Sequence, residues 1–142
     1  MMAIRITEED LKIIKRNIRR ISSAGPVTED DEIIAKAKQV KERMNKTERR
    51  YLNERITPNV FSGSILRWEF EAIKFRIGDN CFYTPDFFIV MLGGSIEIHE
   101  IKGGHIRDDA IVKFKAAAER YGFFKWVMIQ YRRSEWVTLT SL

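Results

Sequence analysis

Residues 81–102 read Cys81-Phe82-Tyr83-Thr84-Pro85-Asp86-Phe87-Phe88-Ile89-Val90-Met91-Leu92-Gly93-Gly94-Ser95-Ile96-Glu97-Ile98-His99-Glu100-Ile101-Lys102. The run from Phe82 to Leu92 is rich in aromatic and β-branched residues, which predicts a strand. Gly93-Gly94 predicts a tight hairpin turn. Ser95 to Lys102 alternates and predicts the partner strand. Side chains two apart share a strand face, so Glu100 and Lys102 point the same way, with Ile101 buried behind them. Glu97 and His99 project from the opposite side, to the surface or toward a helix. The hairpin returns Asp86 to the neighbourhood of Glu100. An aspartate among so many apolar neighbours is costly to bury without a partner.

The pattern extends in both directions. Trp68, Phe70, Ala72, Ile73, Phe75 and Ile77 predict one strand, followed by a turn at Gly78-Asp79-Asn80. Downstream, a helix is expected from Asp108 to about Tyr121, stopped by Gly122. Phe123 to Gln130 and Trp136 to Thr140 predict two more strands, with Trp126 and Trp136 in the core. Upstream, Leu11, Ile14, Ile18 and Ile21 fall at helical spacing beside Lys12, Lys15, Arg16, Arg19 and Arg20. They predict an amphipathic basic helix over about Thr7 to Ile21, broken by Ser22-Ser23-Ala24-Gly25-Pro26. Thr28 is the expected N-cap of a second helix, with Glu29, Asp30, Asp31 and Glu32 where the dipole favours negative charge. That helix either stops near Asn45 and restarts or runs on to about Ile56. Thr57-Pro58-Asn59 is expected to end it in both cases.

The expected fold is therefore α/β: a mixed central sheet of four to five strands, three of them in a meander, flanked by helices. An extra N-terminal helical segment, residues 1–44, would precede a core of residues 45–142. The chain has 142 residues, enough for one core; its net charge is +5 and its pI about 9.4, a balance that suits a polyanionic partner. Cys81 is the only cysteine, so an intramolecular disulfide and a Cys-rich zinc site are excluded. No apolar run reaches the roughly 18 residues of a membrane span, and the N-terminus lacks the order of a secretion signal. Cytoplasmic residence is the expectation.

Two carboxylates brought together by the hairpin repel unless a cation lies between them. Oxygen ligands without cysteine suit Mg2+, with Mn2+ as a substitute, better than zinc. Asp86 and Glu100 are the candidate ligands, with the Ile101 carbonyl as an additional one. Lys102 would neutralise a phosphate and orient or deprotonate a water. The bland alternative is a surface salt bridge across a hairpin.

Pro85-Asp86, thirteen intervening residues, then Glu100-Ile101-Lys102 resembles the Asp…Glu-x-Lys signature of the PD-(D/E)xK nuclease superfamily. The surrounding residues are similar to phage-encoded members of the endonuclease I type, which resolve Holliday junctions. The resemblance covers about Asn45 to Gln130 and implies a restriction-endonuclease-like core and Mg2+-dependent hydrolysis of DNA. It also implies a homodimer, a bacterial or phage-infected host cytoplasm, and no small-molecule cofactor. An acid on the helix before the sheet often completes such a site. Asn45-Lys46-Thr47-Glu48-Arg49-Arg50-Tyr51 matches that element, making Glu48 the candidate third acid, with Glu69 or Glu71 as alternatives. By the same resemblance Lys113, Lys115 and Gln130 would contact DNA. His105 follows the Gly103-Gly104 turn and could touch a phosphate. The N-terminal segment would grip DNA or mediate dimerisation. A non-catalytic DNA-binding protein and a nuclease of another specificity are the rival readings.

Overall fold

The computed structural model describes residues 29–142 together with Glu8 and Lys12, both exposed and helical. The rest of the expected basic helix, its Ser22–Pro26 break and the Thr28 cap lie outside the described residues. The chain divides into two compact units, Met1–Arg43 and Met44–Leu142. In the first, helix α1 spans Glu29–Arg43, with Glu29, Asp30, Asp31 and Glu32 in its first turn and Lys41 and Arg43 in its last. Both ends complement the helix dipole. None of its residues is buried.

The second unit is an α/β domain. Its strands are β1 (Ile65–Phe70), β2 (Phe75–Gly78), β3 (Cys81–Tyr83), β4 (Phe87–Met91), β5 (Ile96–Lys102), β6 (Lys125–Arg132) and β7 (Glu135–Ser141). Five of them form a sheet in the order β1-β4-β5-β6-β7, while β2 and β3 pair as a separate hairpin. The β5–β6 pair is parallel and the other pairs are antiparallel, so the sheet is mixed. Helix α4 (Asp108–Arg120) makes the crossover between the parallel strands.

Two of the expected strands are each cut in two. The run from Trp68 to Ile77 breaks at Glu71, whose φ of 48° is left-handed and turns the chain out of the sheet. The run from Phe82 to Leu92 breaks at Thr84-Pro85, because proline has no N–H for a ladder. The excursion between the breaks is the β2–β3 hairpin, so the expected three-strand meander is instead β1, β4 and β5 with that hairpin inserted.

The alternation along β5 assigns the layers. On one face Ile98, Trp126 and Met128 pack with Phe114, Ala117 and Ala118 of α4 and with Phe75 and Tyr83 of the hairpin. Trp126 is fully buried against the rings of Phe75 and Phe114. The other face, with Phe87, Ile89 and Val127, is covered by a second helical stretch. Helix α2 (Lys46–Tyr51) leads into a π-helical turn (Leu52–Ile56) and then α3 (Thr57–Phe61). Tyr51 packs against Phe87 and Trp136. The expected stop at Thr57-Pro58-Asn59 is thus corrected: the chain stays helical to Phe61. Pro58 falls in the first turn after the π turn, where its missing N–H costs least, and Thr57 keeps helical angles of −56° and −46°.

Glu97 and His99, on the helix-covered face, belong to a chain of polar contacts. Tyr51 Oη lies 2.7 Å from His99 Nδ1, His99 Nε2 lies 2.9 Å from Glu97 Oε2, and Lys125 Nζ donates to Glu97 Oε1 at 2.9 Å. The hydrogen bond from His99, opposed by burial and helped by Lys125, lowers Glu97 from its ordinary 4.5 to about 2. A carboxylate with a depressed folded pKa stabilises the fold above the unfolded pKa and loses that contribution as pH falls through the folded one. Stability to urea should therefore drop between about pH 4.5 and 2. In Glu97→Gln it should be lower at pH 7 but flatter across that window.

Candidate active site

Helix α2, the β3–β4 junction and the end of β5 meet at one place. The register pairs Phe87 with His99, so one step further Asp86 faces Glu100. The Asp86 carbonyl accepts the Glu71 N–H at 2.8 Å, and its side-chain Oδ2 accepts the Ile101 N–H at 2.7 Å. Asp86 thus bridges β1 and β5. Its second carboxylate oxygen has no hydrogen-bond donor among the described residues. Glu100 is also buried: Lys102 Nζ donates to its Oε1 at 2.6 Å, and Tyr83 Oη donates to its Oε2 at 2.5 Å. Lys102 and Glu100 share a strand face, and Ile101 is buried behind them.

Glu48 reaches this neighbourhood from α2, where it also serves a structural end. Asn45 is the N-cap. Its Oδ1 accepts from the N–H groups of Thr47 and Glu48, while Glu48 Oε2 accepts the Asn45 N–H at 2.8 Å and Oε1 accepts its Nδ2 at 2.6 Å. This is a capping box, worth about 1 kcal/mol. The N-terminus of α2 sits close to the strand end: a Cβ on Gly103 would lie 3.2 Å from Thr47 Oγ1. Gln130 Nε2 donates to the carbonyls of Gly103 and Gly104 at 2.9 and 2.6 Å, which ties down the loop that follows Lys102.

The electrostatics mark the cluster as one unit. Burial first, then the Glu100 carboxylate, push Asp86 well above the usual carboxylate range, against the pull of the Ile101 N–H. Glu48 is raised chiefly by burial, with Glu71 and Glu100 adding to the effect. Burial alone would lower Lys102, but the carboxylates of Glu100, Asp86 and Glu48 outweigh it and raise its pKa. Burial and Glu100 raise Tyr83 as well, so its phenol keeps its proton and donates. One ammonium faces three carboxylates, with Glu71 at the margin. That surplus of negative charge fits a divalent cation.

As the side chains stand, no group of three or more His, Cys, Asp or Glu among the described residues is arranged around a common ion position. Glu48 is turned to Asn45, and both Glu100 oxygens are engaged by Tyr83 and Lys102. Asp86 and Glu100, flanking the Ile101 backbone, are the pair that could hold a cation without first releasing Asn45.

Of the residues proposed from the sequence, Glu48, Asp86, Glu100, Ile101 and Lys102 come together. Lys113 and Lys115 flank buried Phe114 on the outer side of α4, and His105 is exposed. None of these three makes a hydrogen bond or ion pair with the acids. Gln130 is near, but its amide nitrogen is spent on the glycine carbonyls. Glu69 is paired with Arg67, so among the alternative acids Glu71 is the one near the cluster. Sequence reading missed Asn45 and the role of Tyr83. Asn45 carries a signal, the Asn-x-x-Glu spacing of a capping box. Tyr83 carries none, because its hairpin folds onto the sheet from outside the ladder.

Comparison with protein-family models, curated proteins and solved structures gave no match to this chain.

A carboxyl group with a raised folded pKa binds its proton more tightly in the fold, so as pH rises above the ordinary 3.8 its ionisation increasingly opposes folding. Asp86→Asn keeps an acceptor for the Ile101 N–H and removes the charge. In EDTA its melting temperature should exceed that of wild type by several degrees at pH 8, with a much smaller margin at pH 5.

Proposed function

We propose that this chain is a divalent-metal-dependent DNA endonuclease, acting on branched DNA of the Holliday-junction kind. The observation that carries the proposal is the pair of buried carboxylates, Asp86 and Glu100, facing each other across β4 and β5 beside the Lys102 ammonium. Its supports are the Pro-Asp…Glu-x-Lys pattern, the net charge of +5 and the mixed α/β fold. The resemblance to the PD-(D/E)xK nucleases remains part of the proposal.

Asp86 and Glu100 would hold Mg2+, or Mn2+ in its place. In a β-strand the carbonyl of a residue points to the same side as its N–H, so Ile101 C=O is directed toward the Asp86 side and adds a neutral oxygen. Glu48 would join by giving up Asn45, at the cost of the capping box. The bound cation supplies Lewis-acid polarisation of a phosphodiester and charge neutralisation. Tyr83 holds Glu100 in place from behind. Lys102, kept protonated by three carboxylates, serves as a fixed positive charge for the phosphate rather than as a base. That charge is already in position as negative charge builds on the phosphoryl oxygens. Water would attack the phosphorus in line as the opposite P–O ester bond breaks; the attacking water's proton leaves to solvent and the departing alkoxide takes one from solvent.

Cutting both strands of a junction requires two sites, which a homodimer provides. Lys113, Lys115 and His105 are exposed and available to phosphates. Among the described residues no helix is long and apolar enough to cross a membrane.

Internal satisfaction of the acids by Tyr83, Lys102 and Asn45 favours one rival, a non-catalytic DNA-binding protein on the same fold. One assay separates the readings: a four-way junction, linear duplex, single strand and supercoiled plasmid are incubated with Mg2+, Mn2+ or EDTA. Wild type should nick the junction in either metal and not in EDTA. Asp86→Ala and Lys102→Ala should each lose about 100-fold or more in rate while still binding, with binding that weakens steeply as salt rises. Binding without cutting by wild type would favour the rival, and end-dependent products from linear duplex would replace the junction substrate.

A further inference from the structure

The face of the sheet turned away from the acids holds a cavity of about 260 Å3. Its floor is apolar and buried, formed by Ile65, Ile89 and Ile129 from three strands, and Trp136 walls one side. Its rim is polar and exposed: Arg55 from the π turn, Asn59 from α3 and Thr138 from β7. The volume exceeds the roughly 150 Å3 that accommodates a benzene ring.

The polar groups that line the cavity differ in what they still need. Glu97 is an ionised carboxylate and can only accept, so His99 Nε2 donates to it. Its other oxygen accepts from Lys125, and Tyr51 Oη occupies the hydrogen-bonding position at His99 Nδ1. This chain is closed and needs nothing from a ligand. Trp136 Nε1 donates to Glu54 Oε2 at 2.8 Å and is likewise satisfied. Arg55 is different: its guanidinium makes no hydrogen bond or ion pair among the described residues, although neighbouring Arg50 pairs with Glu54. An apolar floor, a satisfied polar wall and one uncommitted cation at the mouth specify the complementary molecule.

We propose that this cavity binds a small anion with a flat apolar body, its ring on the isoleucine floor and its carboxylate or phosphate on Arg55. The Thr138 hydroxyl, exposed at the same rim, can donate to the head group, while Asn59 Nδ2 donates to the Arg55 carbonyl at 2.6 Å. Burial raises the Tyr51 phenol, so it keeps its proton. The inference is independent of the nuclease reading.

The test is a titration of the full chain with phenyl phosphate, benzoate, phenol and inorganic phosphate, following the Trp136 indole N–H resonance. Phenyl phosphate or benzoate should give saturable shifts. Phenol and inorganic phosphate should each bind at least about tenfold more weakly. Which anion binds more tightly identifies the head group. Arg55→Met, an exposed position, should fold normally by circular dichroism and weaken anion binding about tenfold without changing phenol binding; Arg55→Lys should recover part of it. No saturable shift, equal binding by Arg55→Met, or inorganic phosphate binding as tightly as phenyl phosphate would overturn the proposal.

Discussion

The carboxylate of Asp86 takes the place of a missing strand. Beyond the Phe87–His99 pair, Pro85 carries β4 away from the sheet, yet β5 continues to Lys102 because β6 still pairs along its other side. That leaves the Ile101 N–H facing a gap, and an unsatisfied buried donor costs about 1–3 kcal/mol. Asp86 fills the gap with its side chain while its own carbonyl holds Glu71. One residue thereby closes the backbone accounting on both flanks. The consequence is electrostatic: closing the ladder with a charged group puts that charge next to Glu100, in a place where water is largely excluded. Structural completion and chemical potential come from the same side chain.

Among the described residues, strand β5 contributes to two buried polar centres. Its alternation sends Glu100 and Lys102 to the face covered by α4 and the β2–β3 hairpin, and Glu97 and His99 to the face covered by the α2–α3 stretch. The two centres are built on different principles. Around Glu97, positive and negative groups balance and the carboxylate is held below its usual range. Around Asp86, negative charge exceeds positive and the carboxylate is held above it. The first arrangement stabilises the fold; the second stores repulsion that a cation would relieve. Tyr51 and Glu48 lie one helical turn apart on α2, so the same helix that locks onto His99 also presents Glu48 to the acids.

Much of this was legible in the sequence, for physical reasons. A period of two identifies β5 and its two faces, and Gly93-Gly94 with a left-handed Gly94 identifies its hairpin. The apolar stripe of α4 and the acids of α1 are equally plain. What escaped is what depends on tertiary closure. The break at Glu71 needs a non-glycine residue with positive φ, which no propensity predicts. The β6–β7 hairpin turns through Arg133 and Ser134, both at positive φ, so the Asn-Gly signal of a two-residue turn is missing. The convergence of Asp86 with Glu100 and Lys102 was legible because strand register is a local rule. The engagement of Glu48 with Asn45 was not, because the same Asn-x-x-Glu spacing serves a helix cap and a ligand set equally well.

The π turn at Leu52–Ile56 has a consequence for the helical layer as a whole. It accommodates one more residue than an α-helical turn would. Loss of a single residue there would restore the regular repeat and leave α3 in nearly its present phase, because the wide turn has already absorbed the extra residue. The helical roof over that face can therefore change length by one residue at this turn, and an alignment gap inside it would signal a tightened turn rather than a rebuilt roof.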